Sequence, residues 1–354
     1  MKILIIQQKM IGDVLTSSIL FEAIKSKYPD AELHYVINTH TYQVVENNPF
    51  IDKFHFFTKE HENSLKATLA FGKFLQMENY DAVIDVYSKT SSNIVSFRTK
   101  AKKRISKYKW YTSFLYTHTV KEGKEPKTSA GLAIENRLSL LEPLNIKSEV
   151  IKPKIYLTAS ELQKGETILL DNGLDLTKPL YMIAVLGSGI NKTYPLKYMA
   201  HVLDTIITEQ PNAQLIFNYI PTQYSHAKEV YEYCKPVTKN QIFLDLFGKS
   251  LREFLTLTIH CTALIGNEGG ATNMAKALDI PTFTIFSPWI DKKAWNMFED
   301  GIRHKSVHLQ DYESKRYNKI AHYKDLKNDF KNLYENFRPE YFKEDLTEFL
   351  DQLT

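Results

Sequence analysis

Lys2-Ile3-Leu4-Ile5-Ile6-Gln7-Gln8-Lys9-Met10-Ile11-Gly12-Asp13-Val14-Leu15 opens the chain. A short apolar run gives way to a polar loop, and the loop closes on Gly12-Asp13. Leu15, Ile19, Leu20, Ala23 and Ile24 then recur at helical spacing. The stretch reads as strand, loop and helix, with the Asp13 carboxylate near the helix start. In an open parallel sheet that place lies outside the carboxyl ends of the strands, where ligands bind. Asp is also a favoured N-cap. Asp13 therefore has two readings, a helix cap or a group that faces a ligand.

The same alternation continues outward. Residues 31–37 (AELHYVI), 53–57 (KFHFF) and 81–86 (DAVIDV) have strand character, with helix-like stretches at about 40–47 and 62–79. A short strand and a loop are expected near 100–110, an exposed loop over 121–130 and a helix over 133–144. Residues 146–153 and 176–179 bracket a connection, and the rhythm then restarts. Strands are expected at 181–186, 213–218, 241–244, 262–265 and 282–286, with helices at 195–207, 222–234, 250–258 and 271–278. Tyr323, Leu326, Phe330, Leu333 and Phe337 keep a helical period, and Leu346, Phe349, Leu350 and Leu353 mark a closing helix. Strands alternating with helices predict an α/β fold with parallel sheets. Two such units in tandem, over 1–155 and 176–335, are expected to hold ligands in the crevice between them. The terminal helix, 340–354, is expected to pack back on the first domain.

A length of 354 residues favours two domains, and 43% hydrophobic with 24% charged residues is ordinary for a globular protein. No apolar run approaches the roughly 20 residues that cross a bilayer. The basic-then-apolar start is too short for a signal peptide and lacks a small-residue cleavage site, so a mature cytoplasmic N-terminus is expected. Cys234 and Cys261 belong to no CxxC or Cys/His cluster and are expected to be reduced core thiols. A net charge of +4 is too weak to indicate nucleic-acid binding. It is uneven, however. Lys100, Lys102, Lys103, Arg104, Lys107 and Lys109 crowd one stretch with Tyr108, Trp110 and Tyr111. That stretch is either a solvated surface or a patch for phosphorylated or membrane-associated anions.

Two further stretches can carry chemistry. Gly266-Asn267-Glu268-Gly269-Gly270 leaves a strand and enters a helix. Paired glycines admit a ligand to the backbone, and the helix start offers unsatisfied N–H groups suited to phosphate. A tight strand-to-helix turn is the other reading. Lys192, in the loop Gly187-Ser188-Gly189-Ile190-Asn191-Lys192, follows a strand and could neutralise a diphosphate leaving group. The chain has no GxGxxG, P-loop, HExxH or GxSxG motif and no DxD pair. His304 and His308 are read as surface histidines, and Asp81 and Asp85 as members of one strand, Asp85 near its exit.

Together these residues resemble glycosyltransferase family 9, the heptosyltransferase type. The resemblance rests on the opening strand with Gly12-Asp13, on Asn48-Pro49-Phe50-Ile51-Asp52, and on Gly187-Ser188 with Lys192 and Tyr194-Pro195. It rests most on Gly266-Asn267-Glu268-Gly269-Gly270-Ala271-Thr272-Asn273-Met274-Ala275-Lys276-Ala277-Leu278, which is similar to that family's nucleotide-sugar signature. It spans residue 1 to about 288. It implies the GT-B fold, two Rossmann-like parallel-sheet domains facing each other across a cleft. It also implies an inverting, metal-independent transfer of a heptose from ADP-heptose to a lipopolysaccharide-core or related lipid-linked saccharide. The nucleotide sugar is then a co-substrate, and no cofactor, metal or nucleic acid is involved. Contact with the inner membrane is peripheral at most.

By the same resemblance Asp13 is the general base. Gly12, Ser188, Lys192, Asn267, Glu268, Gly269, Gly270, Ala271 and Asn273 bind the donor, and Lys9, Lys103 and Arg104 stand as acceptor-side candidates. The chain departs from the family at Glu268, where Asp is usual, and at Asn273, where His is usual. Glu keeps the charge with a longer reach, and Asn offers diphosphate only a neutral hydrogen bond. The competing functions are a nucleotide-sugar epimerase on a similar scaffold and a non-catalytic GT-B sugar-nucleotide-binding protein.

Overall fold

A computed structural model describes residues 1–318, 320 and 322–353. The chain divides into two compact units, Met1–Tyr156 and Leu157–Thr354.

In the first unit, β1 (Lys2–Ile6), β2 (Glu32–Ile37), β3 (Lys53–Phe56), β4 (Ala82–Asp85), β5 (Lys103–Lys107) and β6 (His118–Val120) form one sheet in the order β3-β2-β1-β4-β5-β6. All its pairings are parallel. Ile3, Leu4, Ile5 and Ile6 are completely buried, as a parallel strand covered on both faces requires. Leu4, Ile6, Val36, Val83 and Val95 join Phe57, Phe71 and Leu75 in one core cluster.

The second unit repeats the plan. β7 (Leu180–Ala184), β8 (Gln214–Phe217), β9 (Ile242–Phe243), β10 (Ala263–Asn267), β11 (Thr282–Ile285) and β12 (His304–Val307) pair in the order β12-β11-β10-β7-β8-β9, again all parallel. Both orders are the doubly wound 3-2-1-4-5-6 succession, which reverses direction between its first and fourth strands. Loops leaving β1 and β4, and loops leaving β7 and β10, therefore flank the two switch points. These are the places where such sheets accept ligands.

Several expectations need correction. The second unit begins before residue 176, because helix Ala159–Asp171 packs in it. Arg252 Nη2 meets Glu161 Oε2 at 2.6 Å, and a Cβ on Gly165 would lie 2.2 Å from the Thr256 carbonyl oxygen. The closing helix is Lys343–Asp351 and packs within the second unit. Leu346, Phe349 and Leu350 belong to the core of the second unit, with Phe349 5.6 Å from Phe283 of β11. Helix Thr90–Arg98 and strands β6 and β12 are additional elements. The stretch read as one helix over 62–79 breaks at Ser64, whose hydroxyl caps helix Leu65–Gln76 by accepting from Ala67 N. Asn48-Pro49-Phe50-Ile51-Asp52 is a turn into β3, with Asn48 Oδ1 accepting from Phe50 N and Asp52 Oδ2 from Leu33 N.

His304 and His308 are buried rather than exposed. His304 lies in β12, and His308 Nδ1 caps the following turn by accepting from Gln310 N. Burial drops the His308 imidazole to about 4, so it stays neutral as a cap must. Cys234 and Cys261 are buried free thiols. Among the described residues no helix is long and apolar enough to cross a membrane.

Candidate active site

In the first unit the loop after β1 runs into helix Ile11–Ser17. The residue at the turn is Met10, held at φ 65° with its side chain 64% exposed. That conformation is unusual for a residue other than glycine. It sets Gly12 and Asp13 in the first helical turn, where the Gly12 carbonyl accepts from Thr16 Oγ1. The helix has no side-chain cap, so Asp13 does not serve as one. Its Oδ1 instead accepts from Arg137 Nη2 at 2.7 Å, and its side chain keeps 27% exposure. Arg137 is itself fixed at three points, since Nε donates to Ser17 Oγ at 3.0 Å and Nη1 to the Ala133 carbonyl at 2.7 Å. A carboxylate gripped on one oxygen by an immobilised guanidinium has a defined direction.

Asp85 ends β4 on the other side of this switch point. It is buried, and burial pushes its carboxyl up to about 6 against the bonds it receives from Tyr116 Oη and Ser88 N. It ties loops together. Lys9 Nζ pairs with Glu62 Oε2 at 2.7 Å on the same edge. Lys103 and Arg104 do not stand with these residues. They open β5, at the amino ends of the strands, where Lys103 Nζ donates to the Pro143 carbonyl. Arg104 donates to the Leu115 and Ala101 carbonyls. Both cations brace the chain on the edge opposite the Asp13 loop, away from the acceptor side expected for them.

The second switch point lies between β7 and β10. The loop after β7 folds tightly on itself, for a Cβ on Gly187 would fall 2.1 Å from the Lys192 carbonyl oxygen. Lys192 Nζ faces Glu268 Oε1 at 3.4 Å and stands 5.9 Å from the centre of the Trp289 ring. Trp289 is anchored from below, its Nε1 donating to the Asn191 carbonyl at 2.6 Å. The Glu268 side chain is only 9% exposed, and Oε1 has no hydrogen bond despite the nearby ammonium. Burial raises the Glu268 pKa and Lys192 opposes the rise. A ligand hydroxyl or amine would satisfy that oxygen.

Gly269 precedes helix Gly270–Ala277 and adopts φ 148°, ψ −160°. The first-turn amides of this helix have no carbonyl one turn earlier to bond, and they carry the positive end of its dipole. Ala271 sits in that turn and Asn273 just after it, its amide already donating to the Gly269 carbonyl at 3.3 Å; both are half-buried, and Ser188 is exposed on the β7 loop. Asn267 differs from its expected role. It is buried, with Oδ1 accepting from Tyr194 N at 2.7 Å and Nδ2 donating to the Ala184 carbonyl at 2.9 Å. It locks the two loops together rather than facing a donor.

The Gly269 backbone lies where L-residues are strained, at a typical cost of about 1–3 kcal/mol, although nothing stands within 4 Å of a Cβ there. At Gly270 a Cβ would meet only Met274 Cε, at 4.0 Å. Gly269→Ala is expected to lower the melting temperature by several degrees and Gly270→Ala to leave it unchanged. Equal thermal shifts in the two variants would show that the turn can relax.

Arg137 and Trp289 were not singled out by the sequence. Arg137 reads there as an ordinary mid-helix arginine and Trp289 as one aromatic among many. Among the described residues one group could ligate a metal: His34, His55 and Glu78. Its members are already engaged, since His34 Nδ1 lies 2.8 Å from Tyr80 Oη and Glu78 pairs with Lys53 at 2.6 Å. Lys53 opens β3 and Lys2, which Glu78 also meets, opens β1, so the group belongs to the amino ends of the strands.

The profile of glycosyltransferase family 9 (heptosyltransferase) matches residues 68–324. Lipopolysaccharide heptosyltransferase 1 of Campylobacter coli is 28% identical over 81% of this chain and 84% of its own length. Lipopolysaccharide heptosyltransferase 3 of Escherichia coli is 24% identical over 82% of this chain and 83% of its own. Two solved structures share the fold. A family 9 glycosyl transferase from Veillonella parvula superposes with a TM-score of 0.78 at 18% identity, covering 99% of this chain and 97% of that one. The E. coli ADP-heptose lipopolysaccharide heptosyltransferase II gives 0.73 at 15% identity, covering 99% of each. The chain belongs to glycosyltransferase family 9, the heptosyltransferase family, and is a glycosyltransferase with the two Rossmann-like sheets of the GT-B fold.

Proposed function

We propose that this enzyme moves a heptose from an ADP-linked donor onto a lipopolysaccharide-core saccharide, inverting the anomeric centre without a metal ion. The observation that carries this reading is what meets at the second switch point. A cation, Lys192, a buried carboxylate oxygen without a hydrogen bond, on Glu268, and a helix start opened by Gly269 converge there. That set suits a sugar bearing hydroxyls on one side and a diphosphate on the other. The curated relatives, named as lipopolysaccharide heptosyltransferases, support the same donor and acceptor classes.

The proposed reaction gives each of these residues a part. Asp13 takes the proton from an acceptor hydroxyl as its oxygen attacks the anomeric carbon. The bond from that carbon to the phosphate oxygen breaks on the opposite face, and the nucleoside diphosphate departs with the electron pair. A single displacement inverts the centre. The charge that develops on the leaving phosphate falls to Lys192 Nζ and to the first-turn amides of helix Gly270–Ala277, which serve without reorganising. Glu268 accepts a donor hydroxyl. Positive potential is thus supplied by the protein itself.

The test is a mass-spectrometric screen of nucleotide sugars against a panel of lipopolysaccharide-core acceptors, run with and without EDTA. An added heptose from ADP-heptose, in equal yield with the chelator, is expected. Transfer from a different nucleotide sugar alone would overturn the donor, and a loss in EDTA reversed by a divalent ion would overturn metal independence.

A further inference from the structure

Three large aromatic side chains stand out from one short loop of the first unit. Trp110 is 80% exposed, Phe114 76% and Tyr111 55%. Single exposed apolar residues are normal on any surface, but a cluster of this kind marks an interaction site. The loop is not slack. Tyr108 N donates to the Val120 carbonyl at 2.7 Å, and Thr112 N and Ser113 N both donate to the Lys109 carbonyl, at 3.0 and 2.9 Å. The Lys109 ammonium is drawn inward onto the Ser88 carbonyl at 2.5 Å. The turn therefore holds the aromatics outward against the hydrophobic effect.

Position and charge add to this. The loop leaves the carboxyl end of β5, on the sheet edge from which the Asp13 loop also leaves, where the Met10 side chain is exposed too. Lysines flank it. Lys89 and Lys107 lie close enough to Lys109 to lower its pKa alongside burial, and Lys121 Nζ stands 5.9 Å over the Tyr108 ring. Glu122 pairs with Lys107 at 3.2 Å. An aromatic tip with a basic collar is the composition that enters the boundary between lipid headgroups and acyl chains. A sugar-stacking platform would want a flat face, whereas the Trp110 and Tyr111 rings stand edge to face, 79° apart with centres at 5.6 Å.

We propose that this loop seats the enzyme on an anionic phospholipid surface, with Trp110, Tyr111 and Phe114 entering the interface and the lysines facing acidic headgroups. Given the acceptor proposed above, the contact brings a lipid-anchored saccharide to the edge that carries Asp13.

The experiment uses the full chain and vesicles free of saccharide. The wild type is expected to co-sediment with phosphatidylglycerol-containing vesicles, weakly with pure phosphatidylcholine ones, and less as salt rises. W110S/F114S is expected to lose about tenfold or more of that partitioning and to keep its melting temperature. With a deacylated, water-soluble acceptor the two proteins should turn over equally, and with a vesicle-borne acceptor the variant should fall behind about tenfold. Wild-type partitioning no better than the variant's would overturn the proposal. So would a soluble core oligosaccharide that loses affinity for the variant, since the aromatics would then be reading sugar. If neither protein transfers to any acceptor, the acceptor assignment fails while the vesicle measurement still decides the surface.

Discussion

Asp13→Asn is expected to slow sugar transfer by about a thousandfold and to leave donor affinity unchanged. A positioned general base contributes on the order of 10²- to 10⁴-fold, and a thousandfold corresponds to about 4 kcal/mol of barrier. Asparagine keeps the shape of the side chain and can still accept from Arg137 Nη2 through Oδ1, so the first helical turn has no reason to move. What it removes is an oxygen that can hold the acceptor's proton. Lys192 and Glu268, proposed to bind the donor, belong to the other unit. Calorimetry with ADP-heptose should therefore return the wild-type affinity while product formation collapses. Turnover within threefold of wild type would remove Asp13 as the base. Weakened donor binding would assign it to the donor instead.

How much of this site the sequence discloses depends on where a residue stands in its own element. Asp13, Lys192 and Gly269 are legible because each lies in the loop or first helical turn after a strand run, KILII, LYMIA or ALIGN, and a parallel sheet puts ligands past the ends of its strands. Arg137 reaches Asp13 from 124 residues away, and Trp289 reaches Asn191 from 98. Local pattern carries no trace of either contact. The motif at Gly266–Gly270 predicts Asn267 among the donor contacts. A motif fixes a position along the chain, not the direction of a side chain. At the last position of β10 the amide turns to the neighbouring loop and is used up there.

The same limit explains the missed elements. β12 is HKSV and β6 is HTV, too short and too polar to stand out as strands. Helix Thr90–Arg98 buries Ser92, Asn93 and Ser96 where a helix normally shows a stripe of larger apolar groups. Lys103 and Arg104 drew notice as charges in a basic run, yet their partners are backbone carbonyls. The aromatic members of that run, Tyr108, Trp110 and Tyr111, are left exposed.

Lys192→Ala is expected to cost about a hundredfold in kcat/KM, mostly through the donor's KM, because a charge-assisted bond to phosphate is worth about 1.5–3 kcal/mol. A loss of that size has two possible sources. Lys192 could act on the diphosphate, or it could serve only to neutralise the buried Glu268 carboxylate 3.4 Å away. Leaving that carboxylate alone in a poorly solvated place would push its pKa further up and disturb the loop. The double variant separates the two. Glu268→Gln removes the buried charge at nearly constant shape, so it would restore activity to Lys192→Ala if neutralisation were the whole role. If Lys192 meets the leaving diphosphate, the Lys192→Ala loss should persist at full size in the Glu268→Gln background, and affinity for ADP alone should fall in both. Wild-type affinity for ADP in Lys192→Ala, together with rescue by Glu268→Gln, would confine this lysine to a structural pair and leave the helix amides as the only positive end facing the phosphates.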